Sequence, residues 1–150
     1  MTANQQSTPL NIVLADDDMD DRFFFEKALK EIPIKTDLTI LRDGEQLMEY
    51  LNRNSEQLPN ILFLDLSMPR KTGFECLSEI KENNRLKEIP VIVFTTSFAS
   101  GIEFEQTLIN TLSNIGSEEY IRKPSDFEQL KQIIHSALIR VIEKNKIIEK

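Results

Sequence analysis

Short apolar runs alternate along the chain with longer stretches in which apolar residues recur every three or four positions. Leu10–Ala15, Leu38–Leu41, Ile61–Leu64, Val91–Phe94 and Tyr120–Ile121 are each too short for a helix, which predicts five strands. Between them the spacing predicts helices near Asp20–Ile32, Gly44–Asn54, Thr72–Asn83, Ile102–Asn114 and Asp126–Lys146. In the third of these, Phe74, Leu77 and Ile80 fall along one face. Strands that are apolar on both sides and joined by helical crossovers pair in parallel, and right-handed crossovers put helices on both sides of the sheet. The expected fold class is α/β, a doubly wound five-stranded parallel sheet in the order 2-1-3-4-5. Such sheets hold ligands beyond the carboxyl ends of the strands where the winding reverses, here between strands 1 and 3.

That edge collects polar groups from four strands. Strand 1 ends in Asp16-Asp17-Asp18, strand 3 in Asp65, strand 4 in Thr95-Thr96 and strand 5 in Lys123-Pro124. Carboxylates about 4 Å apart repel by a few kcal/mol per pair at an effective dielectric near 20, so the cluster is best relieved by a cation. Oxygen ligands with no histidine or thiolate beside them favour a hard ion such as magnesium, bound through one or two carboxylates, retained waters and a substrate phosphate. Asp16 and Asp17 are the expected acid pair, with Asp65 as a third oxygen ligand. A carboxylate on such an ion can attack phosphorus to give an acyl phosphate, a reaction that then needs mainly alignment and charge neutralisation. Asp65 is assigned as the nucleophile because it is the single acid closing the central strand Ile61–Leu64. Lys123 is expected to pair with Asp65 and then with the phosphoryl oxygens, and Thr95 or Thr96 to donate its hydroxyl.

The blocks Leu14-Ala15-Asp16-Asp17-Asp18, Leu64-Asp65-Leu66-Ser67-Met68-Pro69, Val93-Phe94-Thr95-Thr96 and Tyr120-Ile121-Arg122-Lys123-Pro124 span almost the whole chain. In that order they resemble the signature blocks of bacterial two-component response regulators, in particular stand-alone receiver domains of the chemotaxis type. The resemblance implies a flavodoxin-like receiver fold and a magnesium ion held by Asp16, Asp17, Asp65 and the backbone carbonyl of Ser67. It also implies that Thr95 is the switch hydroxyl, that the Tyr120 ring follows it, and that Lys123 is the family's lysine. A sensor histidine kinase or a histidine phosphotransfer protein would supply the phosphoryl group. A downstream protein would read the face made by helix 4, strand 5 and helix 5. The chain would then be a phosphorelay switch and no enzyme beyond its own phosphoryl transfer and dephosphorylation. The segment from Thr95 to Lys123 is longer than the family usually has, so helix 4 or its flanks, Ser97–Gly101 and Ser113–Ser117, should be unusual. The rival is a magnesium-dependent phosphohydrolase with an aspartyl-phosphate intermediate. Such enzymes usually carry a second acid two residues after the nucleophile, where this chain has Ser67. Either isomer of the Lys123–Pro124 bond is compatible with the sequence.

The 150 residues suit one domain. Residues 1–9 are expected to be a disordered tail, 10–144 the domain, and 145–150 an overhang of the last helix. Eighteen basic against 25 acidic residues give a formal charge of −7, which repels nucleic acid and anionic lipid. No apolar stretch approaches the roughly 20 residues that cross a bilayer. The single cysteine, Cys76, excludes an intrachain disulfide and suits a reducing cytoplasm; on the third helix it reads as a small core filler. Asp18, Asp20 and Asp21 read as acids placed at the positive end of a helix dipole. Of Phe23-Phe24-Phe25, the latter two are expected to face the sheet. His135 is expected to be a partly exposed surface residue. Ile134, Leu138, Val141, Asn145 and Ile148 form a heptad-like series, read first as a helix packing on the sheet and second as a homodimer seam.

Overall fold

The computed structural model describes residues 8–54, 56–96 and 102–149. In chain order the elements are β1 (Leu10–Ala15), α1 (Met19–Glu31), β2 (Thr36–Leu41), α2 (Gly44–Arg53), β3 (Ile61–Leu64), α3 (Gly73–Glu82), β4 (Val91–Thr95), α4 (Ile102–Ile115), β5 (Glu119–Arg122) and α5 (Phe127–Glu149). The strands form one parallel sheet in the order β2-β1-β3-β4-β5, as the alternation of short and long apolar patterns predicts. β2, β4 and β5 are longer than expected because Thr36, Asp37, Thr95, Glu119 and Arg122 join the ladder through their backbones, which apolar patterning does not register.

Successive strand residues point to opposite faces, so one sheet builds two cores. Val13, Leu62, Leu64, Val91 and Val93 pack under α2, α3 and α4 against Leu47, Leu51, Leu77, Ile80 and Leu112. Ile12, Leu14, Ile61, Phe63, Ile92 and Phe94 pack under α1 and α5 against Phe25, Leu29, Ile134 and Leu138. Phe25, Phe63 and Phe94 meet edge to face there, with centroids 4.9, 5.8 and 5.9 Å apart. Cys76 is fully buried as expected, and His135 is partly exposed.

The phenylalanine run differs from expectation. Phe25 alone is buried, whereas Phe24 is 43% exposed and leans on Phe127, and Phe23 is more exposed still. Residues 24 and 25 stand about 100° apart on a helix, and the core-facing stripe of α1 is too narrow for both. Ile134, Leu138 and Val141 are buried under the sheet, so these positions of the heptad-like series are core. The side chains of Asn145 and Ile148 lie outside the described residues, as do Ser97–Gly101 and residues 1–7. The α4 helix runs through Ile115 and ends at Gly116, whose φ of 131° suits glycine. The Lys123–Pro124 bond is trans.

The starts of α1, α2 and α3 are fixed by side-chain caps. Asp18 accepts the Asp21 backbone N–H at 2.9 Å, Asp43 accepts that of Gln46 at 2.8 Å, and Thr72 with Glu75 forms a capping box on α3. The first residue of α3 lies close against the end of β3: a Cβ on Gly73 would stand 2.3 Å from the Asp65 carbonyl oxygen. At the opposite edge of the sheet, the Lys81 ammonium donates to the carbonyls of Lys87 and Ile89 and ties down the segment entering β4.

Candidate functional site

Register brings the acids together. Leu14 pairs with Phe63 and Ala15 with Leu64, so Asp16 and Asp65 leave neighbouring strands side by side, and the Asp65 N–H donates to the Ala15 carbonyl at 3.0 Å. Asp16, Asp17 and Asp65 each offer a carboxylate oxygen, all within 4.8 Å of one another. Asp16 and Asp65 are buried and Asp17 is exposed, so the cluster opens to solvent on one side. Three carboxylates with no histidine or thiolate among them are the donor set that a hard divalent cation takes. The residues therefore fit such an ion.

Both oxygens of Asp65 meet donors. Thr95, held at the end of β4, donates its hydroxyl to Asp65 Oδ1 at 3.0 Å, and the Ser67 N–H lies 3.4 Å from the same atom. Of the two threonines it is thus Thr95 that reaches the acid; Thr96 is exposed. Lys123 leaves β5 and reaches Asp65 Oδ2 at 3.4 Å. Its shorter bonds go elsewhere, to Asp16 Oδ2 at 2.6 Å and to Asp21 Oδ2 at 2.8 Å. The Asp21 contact corrects the reading of that residue as a dipole acid only. Asp18 does cap α1, and its own N–H donates to Asp16 Oδ1 at 2.9 Å.

Burial pushes the Asp16 carboxyl up to about 6 against the opposing pull of Lys123. Burial lowers the Lys123 pKa, but Asp16, Asp21 and Asp65 more than offset this and hold the ammonium above its ordinary value. At neutral pH both groups stand on the charged side of their titrations, and their 2.6 Å contact is an ion pair.

Tyr120 sits on β5 beyond the immediate cluster. Its hydroxyl donates to Glu105 Oε2 on α4 at 2.9 Å, and burial with the Glu105 charge pushes the phenol up to about 12. Arg122 grips the same carboxylate through Nε at 3.0 Å and through Nη2. The sequence did not mark the contact of Asp21 with Lys123, nor any role for Glu105. No local pattern marks either one, because their partners lie 102 and 15–17 residues away.

The winding of the sheet and the acids at its carboxyl edge define the class, and the response regulator receiver domain family matches residues 12–135: the chain belongs to that family. It is similar to the response regulator Rcp1 of Synechocystis sp., 40% identical over 99 residues that cover 63% of this chain and 67% of that protein. Among solved structures it resembles the Mn(2+)-bound form of response regulator Rcp1, with a TM-score of 0.73 and 32% identity over 85% of this chain and 91% of that one. The phosphorylated cyanobacterial phytochrome response regulator RcpA matches with a TM-score of 0.75 and 30% identity, covering 87% of this chain and 91% of that one. The chain is therefore a receiver of two-component signalling. No helix among the described residues is long and apolar enough to cross a membrane.

Proposed function

We propose that Asp65 accepts a phosphoryl group from the phosphohistidine of a sensor histidine kinase or a histidine phosphotransfer protein. The reading rests chiefly on one observation: the carboxylate that closes the central strand shares its cluster with two acids while a hydroxyl and an ammonium face its two oxygens. An Asp65 oxygen forms the new P–O bond as the P–N bond of the donor imidazole breaks, and the electron pair leaves with the imidazole, which takes up a proton. Asp16, Asp17, Asp65 and the Ser67 carbonyl would hold magnesium, which neutralises charge on the phosphoryl oxygens when bound. Lys123 and Thr95, already hydrogen-bonded to the acceptor, turn their donors to the added oxygens. The hydroxyl of Thr95 is the switch element, and Tyr120 carries the change to the face of α4, β5 and α5, where a downstream protein binds.

Residues 10–144 form this receiver unit, which works in the cytoplasm as a signalling protein without turnover of an external substrate. The hydrolase reading is disfavoured by Ser67, which occupies the place of that chemistry's second acid. Acetyl phosphate with magnesium should add one phosphoryl group per chain, seen by mass spectrometry, and Asp65→Asn should abolish it. A label that persists in the variant, or many turnovers of a phosphomonoester by the wild type, refutes the reading.

A further inference from the structure

The geometry points to Asp21 as a positioning residue that holds Lys123 back from Asp65 and so sets how readily a phosphoryl group captures the ammonium. This rests on the reading of Asp65 given above. An ammonium has three N–H donors, and Lys123 spreads them over three carboxylates, at 2.6 Å to Asp16, 2.8 Å to Asp21 and 3.4 Å to Asp65. Asp16 and Asp65 belong to the cluster that suits a cation, and Asp21 does not. Once a cation occupies that cluster, the charge of Asp16 is largely committed to it. Asp21 is then the acid that competes with the group on Asp65 for Lys123.

The competitor is built in place. The Asp18 cap takes the backbone N–H of Asp21, and Arg22 donates to the Asp16 carbonyl at 3.1 Å, which fixes the first turn of α1 against the site. Lys123 is 7% exposed, so its bond to Asp21 is poorly screened although Asp21 itself is one-third exposed. A cavity of about 210 Å³ lined by Asp21, Phe24, Phe94 and Lys123 lies beside the lysine. Asp20 provides the internal contrast: one residue away, it is exposed, carries the same charge on the same helix turn, and has no bond to Lys123. A helix-dipole role would make the two acids equivalent.

Titration with beryllofluoride and magnesium, followed by NMR, decides the matter, because the complex mimics the phosphoryl group and reports an equilibrium. Asp21→Asn should lower the beryllofluoride concentration at half-saturation by about fivefold, the scale of one partly exposed ion pair. The aspartyl phosphate of that variant should also last longer than that of the wild type. Asp20→Asn should match the wild type, and Asp21→Glu, which keeps the charge, should restore wild-type binding. Equal shifts in Asp20→Asn and Asp21→Asn, an unchanged or weakened half-saturation in Asp21→Asn, or an altered melting temperature alone would overturn the proposal. A wild type that binds no beryllofluoride removes the Asp65 reading and this inference together, whereas normal wild-type binding with an inert Asp21→Asn removes only the inference.

Discussion

Lys123 is the residue on which most of the site's electrostatics converge, since one buried ammonium faces acids from β1, α1 and β3. Asp16 shows the cost of the arrangement. Its carboxyl stands above the ordinary range, at about 6, because burial outweighs the ammonium. A raised acid binds its proton more tightly in the folded state, so its contribution to stability is full below the unfolded value near 4 and is lost as pH rises through 6. Without added divalent ion, wild type should therefore lose stability relative to Asp16→Asn between about pH 4 and 6.5, and the gap should stay flat above that range. Urea denaturation across pH tests this; a gap that does not change would show that Asp16 is not perturbed. That Asp16, Asp17, Asp65, Thr95 and Lys123 lie together was legible in the sequence because each stands at or just past a strand end, and strand ends in a parallel sheet share an edge. Asp21 was not, since a helix-start acid looks the same whether or not a lysine more than a hundred residues away bends down to meet it.

Among the elements, the strands and helices were legible to within a few residues because their apolar periods differ, and the misses fall where backbone or packing outweighs pattern. Strand ends built from Thr, Asp, Glu and Arg, and the exposure of Phe24, are settled by ladder bonds and by how much of α1 the sheet can cover. The contact between α3 and β3 was invisible beforehand, yet it bears directly on the site. Gly73 donates its N–H to the Leu66 carbonyl at 3.0 Å, and a methyl group at that position would press on the backbone of Asp65 and Leu66. Gly73→Ala should lower stability by about 1–3 kcal/mol, as overpacking does, and should slow acetyl phosphate labelling in the fraction that folds. Labelling at the wild-type rate would mean that α3 can shift without moving the acceptor.

For the molecule as a whole, a cation that binds only the folded chain stabilises it by mass action, about 2.7 kcal/mol at a hundredfold excess over its dissociation constant. Magnesium should accordingly raise the melting temperature of the wild type, and Asp17→Asn, which removes the exposed carboxylate of the cluster, should shrink the rise. An undiminished shift in the variant would place the ion elsewhere. The direction of the sheet has a practical corollary. Parallel strands send every carboxyl end to one rim, so the rim where Lys81 ties down the chain entering β4 is separated from the acids by the length of a strand, about 13 Å for four residues. A tether fixed at the exposed Arg85 on that far rim would immobilise the protein on a sensor chip with its reactive side turned to the flow.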